Sequence, residues 1–412
     1  MRNLLTTLTL LLATSPVLAG ENWPVFFGPN ADGKSDSTGL PIEFGEKKNV
    51  KWKTAIEGKA WSSPVIWGKQ VWVANATEDG KTMSAVCVDR DSGKIVHDIV
   101  VFKNAKPYFC HPFNSYASCT PVIEEGRVYV HFGRYGTACL DTATGKILWE
   151  RRDLDCNHFR GPGSSPMIYG NLLVVNYDGI DVQYVVAFDK KTGKTAWKTD
   201  RNIEYGTTSG DRMKAYGTPV VFNIEGKPQL INPSAGATIA YEPLSGKEIW
   251  RVNHGGMNNS SRPLYAHGMI YITTGAGGMQ LVAIRPNGKG DVTKSHIAWN
   301  MRKGVPTRPS QIMIDDLLFM ISDGGVATCV EAKTGEVVWQ ERVGGKFSAS
   351  PVYVDGRIYF FSQEGNIPVI KPSRKYELLT VNKLANGFMA SPAVAGKALF
   401  VRTEKHLYRI EK

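Results

Sequence analysis

The chain has 412 residues, 42% hydrophobic and 21% charged, and carries a formal net charge of +11. That composition excludes a disordered or collagen-like chain, and an apolar content of this size supports a large packed core. The positive balance favours anionic partners such as polyanionic glycans, phosphates or membrane surfaces, or simply aids solubility.

Residues 1–19 read as a secretory signal peptide: Arg2 begins it, an apolar stretch from Leu4 to Leu12 follows, and Val17-Leu18-Ala19 offers a cleavage site. The stretch is too short for a transmembrane anchor. No cysteine stands at Gly20-Glu21, so lipoprotein processing is not expected, and the predicted location is periplasmic or secreted. Export makes nucleic acid an unpromising partner. Residues 20–48 form an irregular lead-in rich in Gly, Pro and Asp.

From residue 49 to 412 the chain repeats. A small residue or arginine before proline recurs eight times: Ser63-Pro64, Thr120-Pro121, Ser165-Pro166, Thr218-Pro219, Arg262-Pro263, Arg308-Pro309, Ser350-Pro351 and Ser391-Pro392. The spacing is that of propeller blades. Proline is tolerated where a strand opens because no ladder donor is needed there. Each pair leads into a short apolar strand, a tight turn such as Asp355-Gly356, and a second strand such as Ile358-Tyr359-Phe360. A third strand often ends in an acid, as in Ala138-Cys139-Leu140-Asp141. A Thr-Gly or Ser-Gly turn follows, then a fourth strand bearing Trp149, Trp197, Trp250, Trp299 or Trp339. Four strands per repeat predict an all-β, eight-bladed propeller. The last repeat lacks its outer strand, and Val50-Lys51-Trp52-Lys53 is expected to supply it and close the ring.

The run from Ala138 to Trp149 resembles the tryptophan-docking motif of quinoprotein propellers. On these repeats the chain is similar to the pyrroloquinoline-quinone-like β-propeller family over nearly all of residues 49–412. The resemblance implies docking of the turn and Trp of one blade on its neighbour. Two blades depart from it. Blade one has His97 where Trp is expected, and blade seven has Lys371-Pro372-Ser373 in place of the Thr-Gly turn.

The loops leading into successive blades are expected on one face, around the channel mouth. The candidate ligand-binding residues there are His111, Asn114, His158, Arg160, Arg212, Lys214, Tyr216, Asn258, Arg262 and Arg308. Convergent Arg, Lys and His suit a carboxylate, sulfate or phosphate, with aromatic residues adding stacking surface.

Cys87, Cys139 and Cys329 read as buried third-strand residues, and Cys119 as packed near the axis. By elimination Cys110 and Cys156 are the candidate disulfide. Cys110, His111, Cys156 and His158 are a weaker candidate for zinc or copper, and Asp178 with Asp181 for calcium. No nucleophile motif is present. The expected function is a non-catalytic binding or scaffolding propeller for an anionic small molecule or glycan, or for an envelope protein, working as a monomer, with no cofactor predicted. The alternative that the resemblance implies is a dehydrogenase using pyrroloquinoline quinone and calcium.

Overall fold

A computed structural model describes residues 20–412. The leader read over residues 1–19 lies outside them. Eight antiparallel sheets follow one another along the chain, at residues 65–103, 122–151, 167–200, 220–253, 264–301, 312–342, 352–383 and 393–410. These are blades one to eight. Each opens on an inner strand of three to five residues and steps outward. Among the described residues no helix is long and apolar enough to cross a membrane.

Blade eight is completed as expected. Val50–Ala55 pairs antiparallel with His406–Ile410, with Lys53 opposite Tyr408. This junction removes two open sheet edges, which are the usual weak point of β architectures.

The docking pattern has a plain physical cause. In every blade the register between third and outer strand slips by one residue. The extra residue twists the outer strand, as bulges do. Where Trp stands at the slip, its indole Nε1–H usually reaches a carbonyl on the next blade's turn. Trp52 donates to Arg90 at 2.9 Å, Trp149 to Lys190 at 2.9 Å, Trp197 to Pro243 at 3.1 Å and Trp299 to Ala332 at 3.0 Å. The turn needs glycine for two reasons. Gly93 has φ +73°, and a Cβ there would sit 2.7 Å from the Trp52 ring. The acid before the turn also has a role: Asp141 accepts from Thr144 N–H and Oγ1–H at 2.7 and 2.8 Å. Those bonds hold its carboxyl below the ordinary value.

The two departures resolve differently. Trp339 docks normally on blade seven, donating to the Ser373 carbonyl at 2.9 Å, so Pro372-Ser373 serves as the turn. In blade one His97 stacks inward on Trp72, and Ile99 lies where a Cβ on Gly145 would be. Blade four uses a relay: Trp250 donates to Gln229, whose amide donates to Pro286.

One expectation needs correcting. Blade six opens at Ser310-Gln311, not at Arg308-Pro309. Ser310 Oγ accepts from Arg262 N–H, and Ser310 N–H donates to Ser350 Oγ, which is the position of Ser63 or Thr120 in other blades. Arg308 sits two residues upstream, on the loop.

The lead-in is built into the ring. Trp23 bonds Ile66 of blade one through both backbone groups, Pro24 accepts from Ile123 of blade two, and Lys34–Ser35 pairs parallel with Tyr353 and Val354 of blade seven. Gly20 accepts from Gly396 of blade eight. All these contacts fall where inner strands turn into second strands, so residues 20–41 lie across that end of the channel. Trp23 and Phe27 are each 2% exposed and anchor the segment in the core. Full burial of two large aromatic side chains stabilises it by roughly 2–3 kcal/mol each.

Candidate functional site

The opposite end of the channel is open. It holds a cavity of about 400 Å³ whose floor includes Phe26 of the lead-in. A cavity of that size suits a small molecule or the end of a chain. The cavity is therefore a blind funnel.

At the rim, Trp61 donates its indole N–H to the Phe113 carbonyl at 3.0 Å, and the Arg308 guanidinium lies 4.7 Å from the Phe113 ring centre. His111 Nδ1 accepts from Phe113 N–H. Asn114 fastens two loops together, because its amide donates to the carbonyls of Arg160 and Pro162 at 2.9 and 3.0 Å.

Below the rim lies a charged layer. Arg160 grips Asp211 with two bonds, at 3.1 and 2.9 Å. Lys214, wholly buried behind the wall, reaches Asp211 at 2.7 Å and also contacts Asn258. Burial works to raise the Asp211 carboxyl, but the bonds from Lys214 and Arg160 outweigh it and hold it below its ordinary value. Arg308 pairs with Asp323 at 2.8 Å without a well-aligned hydrogen bond, and donates to the Phe347 carbonyl at 3.3 Å. The Tyr216 hydroxyl is buried at the cavity wall without a partner.

The innermost layer is a ring of hydroxyls. Backbone N–H groups of Ser391, Ser63, Thr120 and Ser165 donate in turn to the side-chain oxygens of Ser63, Thr120, Ser165 and Thr218, at 2.9–3.1 Å. Arg262, Ser310 and Ser350 donate likewise to Ser310, Ser350 and Ser391, at 2.8–3.0 Å. The ring breaks only between blades four and five, where Arg262 replaces the hydroxyl. Its guanidinium turns to the floor and donates to the Phe26 carbonyl at 2.5 Å. Burial pushes Arg262 down to about 9, against the attraction of Asp32. It therefore remains charged at neutral pH.

Six of the ten residues chosen from sequence line this cavity: His111, Asn114, Arg160, Tyr216, Asn258 and Arg308. Lys214 supports the wall from behind, and Arg262 holds the floor. His158 turns away into the core, stacked on Tyr177, and burial pushes it down to about 4. Arg212 is exposed on a one-turn helix, Gly210–Arg212, and does not line the funnel. The ring hydroxyls and Phe26 were missed. The signal for the ring was present, since a hydroxyl residue recurs directly before proline.

The cysteine and metal proposals need correction. Cys110 and Cys156 are both free. Cys110 Sγ faces the Arg160 carbonyl at 3.6 Å, while Cys156 Sγ lies 3.8 Å from His158 Nδ1 in the core. Among the described residues no three His, Cys, Asp or Glu side chains converge as for a metal. Asp178 is buried in a two-bond pair with Arg201, and Asp181 accepts from Asn157 N–H. Cys87, Cys119, Cys139 and Cys329 are buried, as expected.

Among the described residues the funnel wall presents no carboxylate, and Asp211 and Asp323 behind it are committed to cations. A hard divalent ion takes oxygen ligands that include carboxylates. The wall does not fit calcium with pyrroloquinoline quinone.

Comparison with known proteins agrees with this architecture. The family described as outer membrane protein assembly factor BamB, with the PQQ-type repeat, matches residues 83–341 and 181–412, which together span most of the chain. The chain belongs to this family. Among curated relatives of this BamB-family chain, tetrathionate hydrolase of Acidithiobacillus ferrooxidans is 24% identical over 68% of the chain and 56% of the relative. BamB of Yersinia pestis is 21% identical over 64% of the chain and 65% of the relative. The matches thus span less than two thirds of either relative. BamB of Moraxella catarrhalis superposes with a TM-score of 0.61 at 12% identity, covering 87% of this chain and 99% of that one. A quinohemoprotein alcohol dehydrogenase from Comamonas testosteroni superposes with a TM-score of 0.65 at 10% identity, covering 94% and 80%. Both likenesses concern the fold.

Proposed function

We propose that this chain is an exported, non-catalytic binding propeller that takes an anionic group into its funnel. The group is carried by a small molecule or glycan, or displayed by an envelope protein. One observation carries this reading: Arg160, Lys214, Arg308 and Arg262 surround a blind cavity, against Asp211 and Asp323 in its wall and Asp32 near Arg262. Four cations against three acids leave an excess of one positive charge, enclosed by low-dielectric walls that strengthen its field. Membership in the BamB family supports a binding role, since relatives in it carry the name of an assembly factor. Exposed Phe109 and Phe159, 5.9 Å apart beside the mouth, add apolar contact surface for a partner.

Calorimetric titration with paired anionic and neutral ligands of equal size tests the proposal. Anions should bind, and Arg160→Ala with Arg308→Ala should weaken them by about tenfold or more, because two positive charges leave a low-dielectric cavity. Equal binding of neutral analogues would overturn the reading. Consumption of tetrathionate, or quinone-dependent alcohol oxidation, would overturn its non-catalytic part.

A further inference from the structure

The hydroxyl ring has a donor surplus. A serine or threonine hydroxyl offers one hydrogen and two lone pairs. In the ring each oxygen already accepts a peptide N–H from the preceding blade. Among the described residues none of these hydroxyls donates its own hydrogen to a protein group. Six of the oxygens, on Ser63, Thr120, Ser165, Thr218, Ser350 and Ser391, line the funnel, and all six residues are at most 5% exposed. Buried donors need acceptors. Accepting an N–H also polarises a hydroxyl and strengthens it as a donor.

The ring's neighbours fix the sign of the missing acceptor. Arg262 lies buried at the break in the ring, and its one hydrogen-bond acceptor is the neutral Phe26 carbonyl. Asp32 attracts Arg262, but among the described residues no carboxylate lines the funnel. The shape of the acceptor follows from the free donors. A planar carboxylate is best gripped by a guanidinium fork. Here the Arg160 fork is already filled by Asp211, and Arg308 is held between Asp323 and the Phe347 carbonyl. What remains is a circle of hydroxyls around one axis. Such a circle matches three oxygens disposed around a bond that points along the channel.

We infer that the inner ring is a seat for a tetrahedral oxoanion, a sulfonate or phosphomonoester, with its three terminal oxygens on the blade hydroxyls and its organic part toward Trp61 and Phe113 at the mouth. The inference rests on the funnel being an anion site and names the class of anion it takes.

Benzenesulfonate and phenyl phosphate, titrated against benzoate on the purified protein, test it. The tetrahedral anions should bind at least about tenfold more tightly than benzoate, as expected when one or two further hydrogen bonds form. Thr120→Val and Thr218→Val keep side-chain shape while removing the donor. Each should lower sulfonate affinity several-fold and leave benzoate unchanged, with the melting temperature followed in parallel. The wild-type preference decides the matter even where a variant is unstable. Benzoate binding as well as benzenesulfonate, with sensitivity only to Arg160→Ala, would overturn the tetrahedral seat and leave the anion site standing. Failure of every anion to bind would overturn both, and would leave the ring as a holder of water.

Discussion

Replacing Gly93 by alanine should damage the ring closure through a single contact, and a second substitution should repair much of it. Gly93 has φ +73°, which costs an alanine about 1–2 kcal/mol. The new Cβ would also stand 2.7 Å from the Trp52 ring, and overpacking of that kind costs about 1–3 kcal/mol more. Trp52→Ala alone removes a side chain that is 9% exposed, together with its bond to the Arg90 carbonyl. Core Trp→Ala changes cost about 3–5 kcal/mol. In the double variant the ring contacts are gone, and what survives of Gly93→Ala is its backbone term and the 2.9 Å approach to the Cβ that residue 52 keeps. The two losses should then fall short of additivity by about 1–3 kcal/mol. Denaturant unfolding of the four proteins, followed by circular dichroism, measures this directly. Additivity within about 0.5 kcal/mol would show that Trp52 does not dock on the blade-one turn. Gly193 and Trp149 make the same pair inside the ring and should behave alike.

Acid should weaken the fold before the carboxylates titrate. Burial pushes His158 from 6.5 to about 4 and His131 to about 3. Between those values and 6.5 the unfolded chain binds protons that the folded chain refuses, so stability is full above pH 6.5 and falls as pH drops toward 4. His158 alone contributes roughly 3 kcal/mol to that fall. His158→Gln should flatten the melting temperature over this window, and an unchanged slope would contradict the burial. All six cysteines should titrate with a thiol reagent once the chain is unfolded, without prior reduction. A count of four would restore a Cys110–Cys156 bridge. Pyrroloquinoline quinone with calcium should leave the melting temperature unmoved, and a stoichiometric complex would refute the donor-set argument.

The ring was readable because its repeating unit is local. Acid, Thr-Gly turn and Trp lie within about ten residues, and each contributes a contact that only that spacing provides, as Asp141, Gly145 and Trp149 illustrate. The closing strand was readable because Trp52 has the same character as the other docking residues. Blade six was misplaced by two residues because Pro309 mimics a strand opener, while Ser310-Gln311 keeps only the hydroxyl. His158 and Arg212 misled because a loop's composition does not tell which side chain faces inward. His158 packs on Tyr177, and Arg212 is exposed and does not line the funnel. The lead-in was the largest omission. Its path across five blades depends on contacts such as Trp23 with Ile66 and Gly33 with Tyr353, which are hundreds of residues apart in the second case and follow no period.

A crystal soaked in selenate, a tetrahedral oxoanion with an anomalous signal, would test the site most directly. One anomalous peak on the channel axis, between the ring hydroxyls and the layer of Arg160 and Arg308, with Phe26 beneath it, is the predicted result. Peaks confined to the outer surface, or an axis holding only water at saturating selenate, would contradict the account.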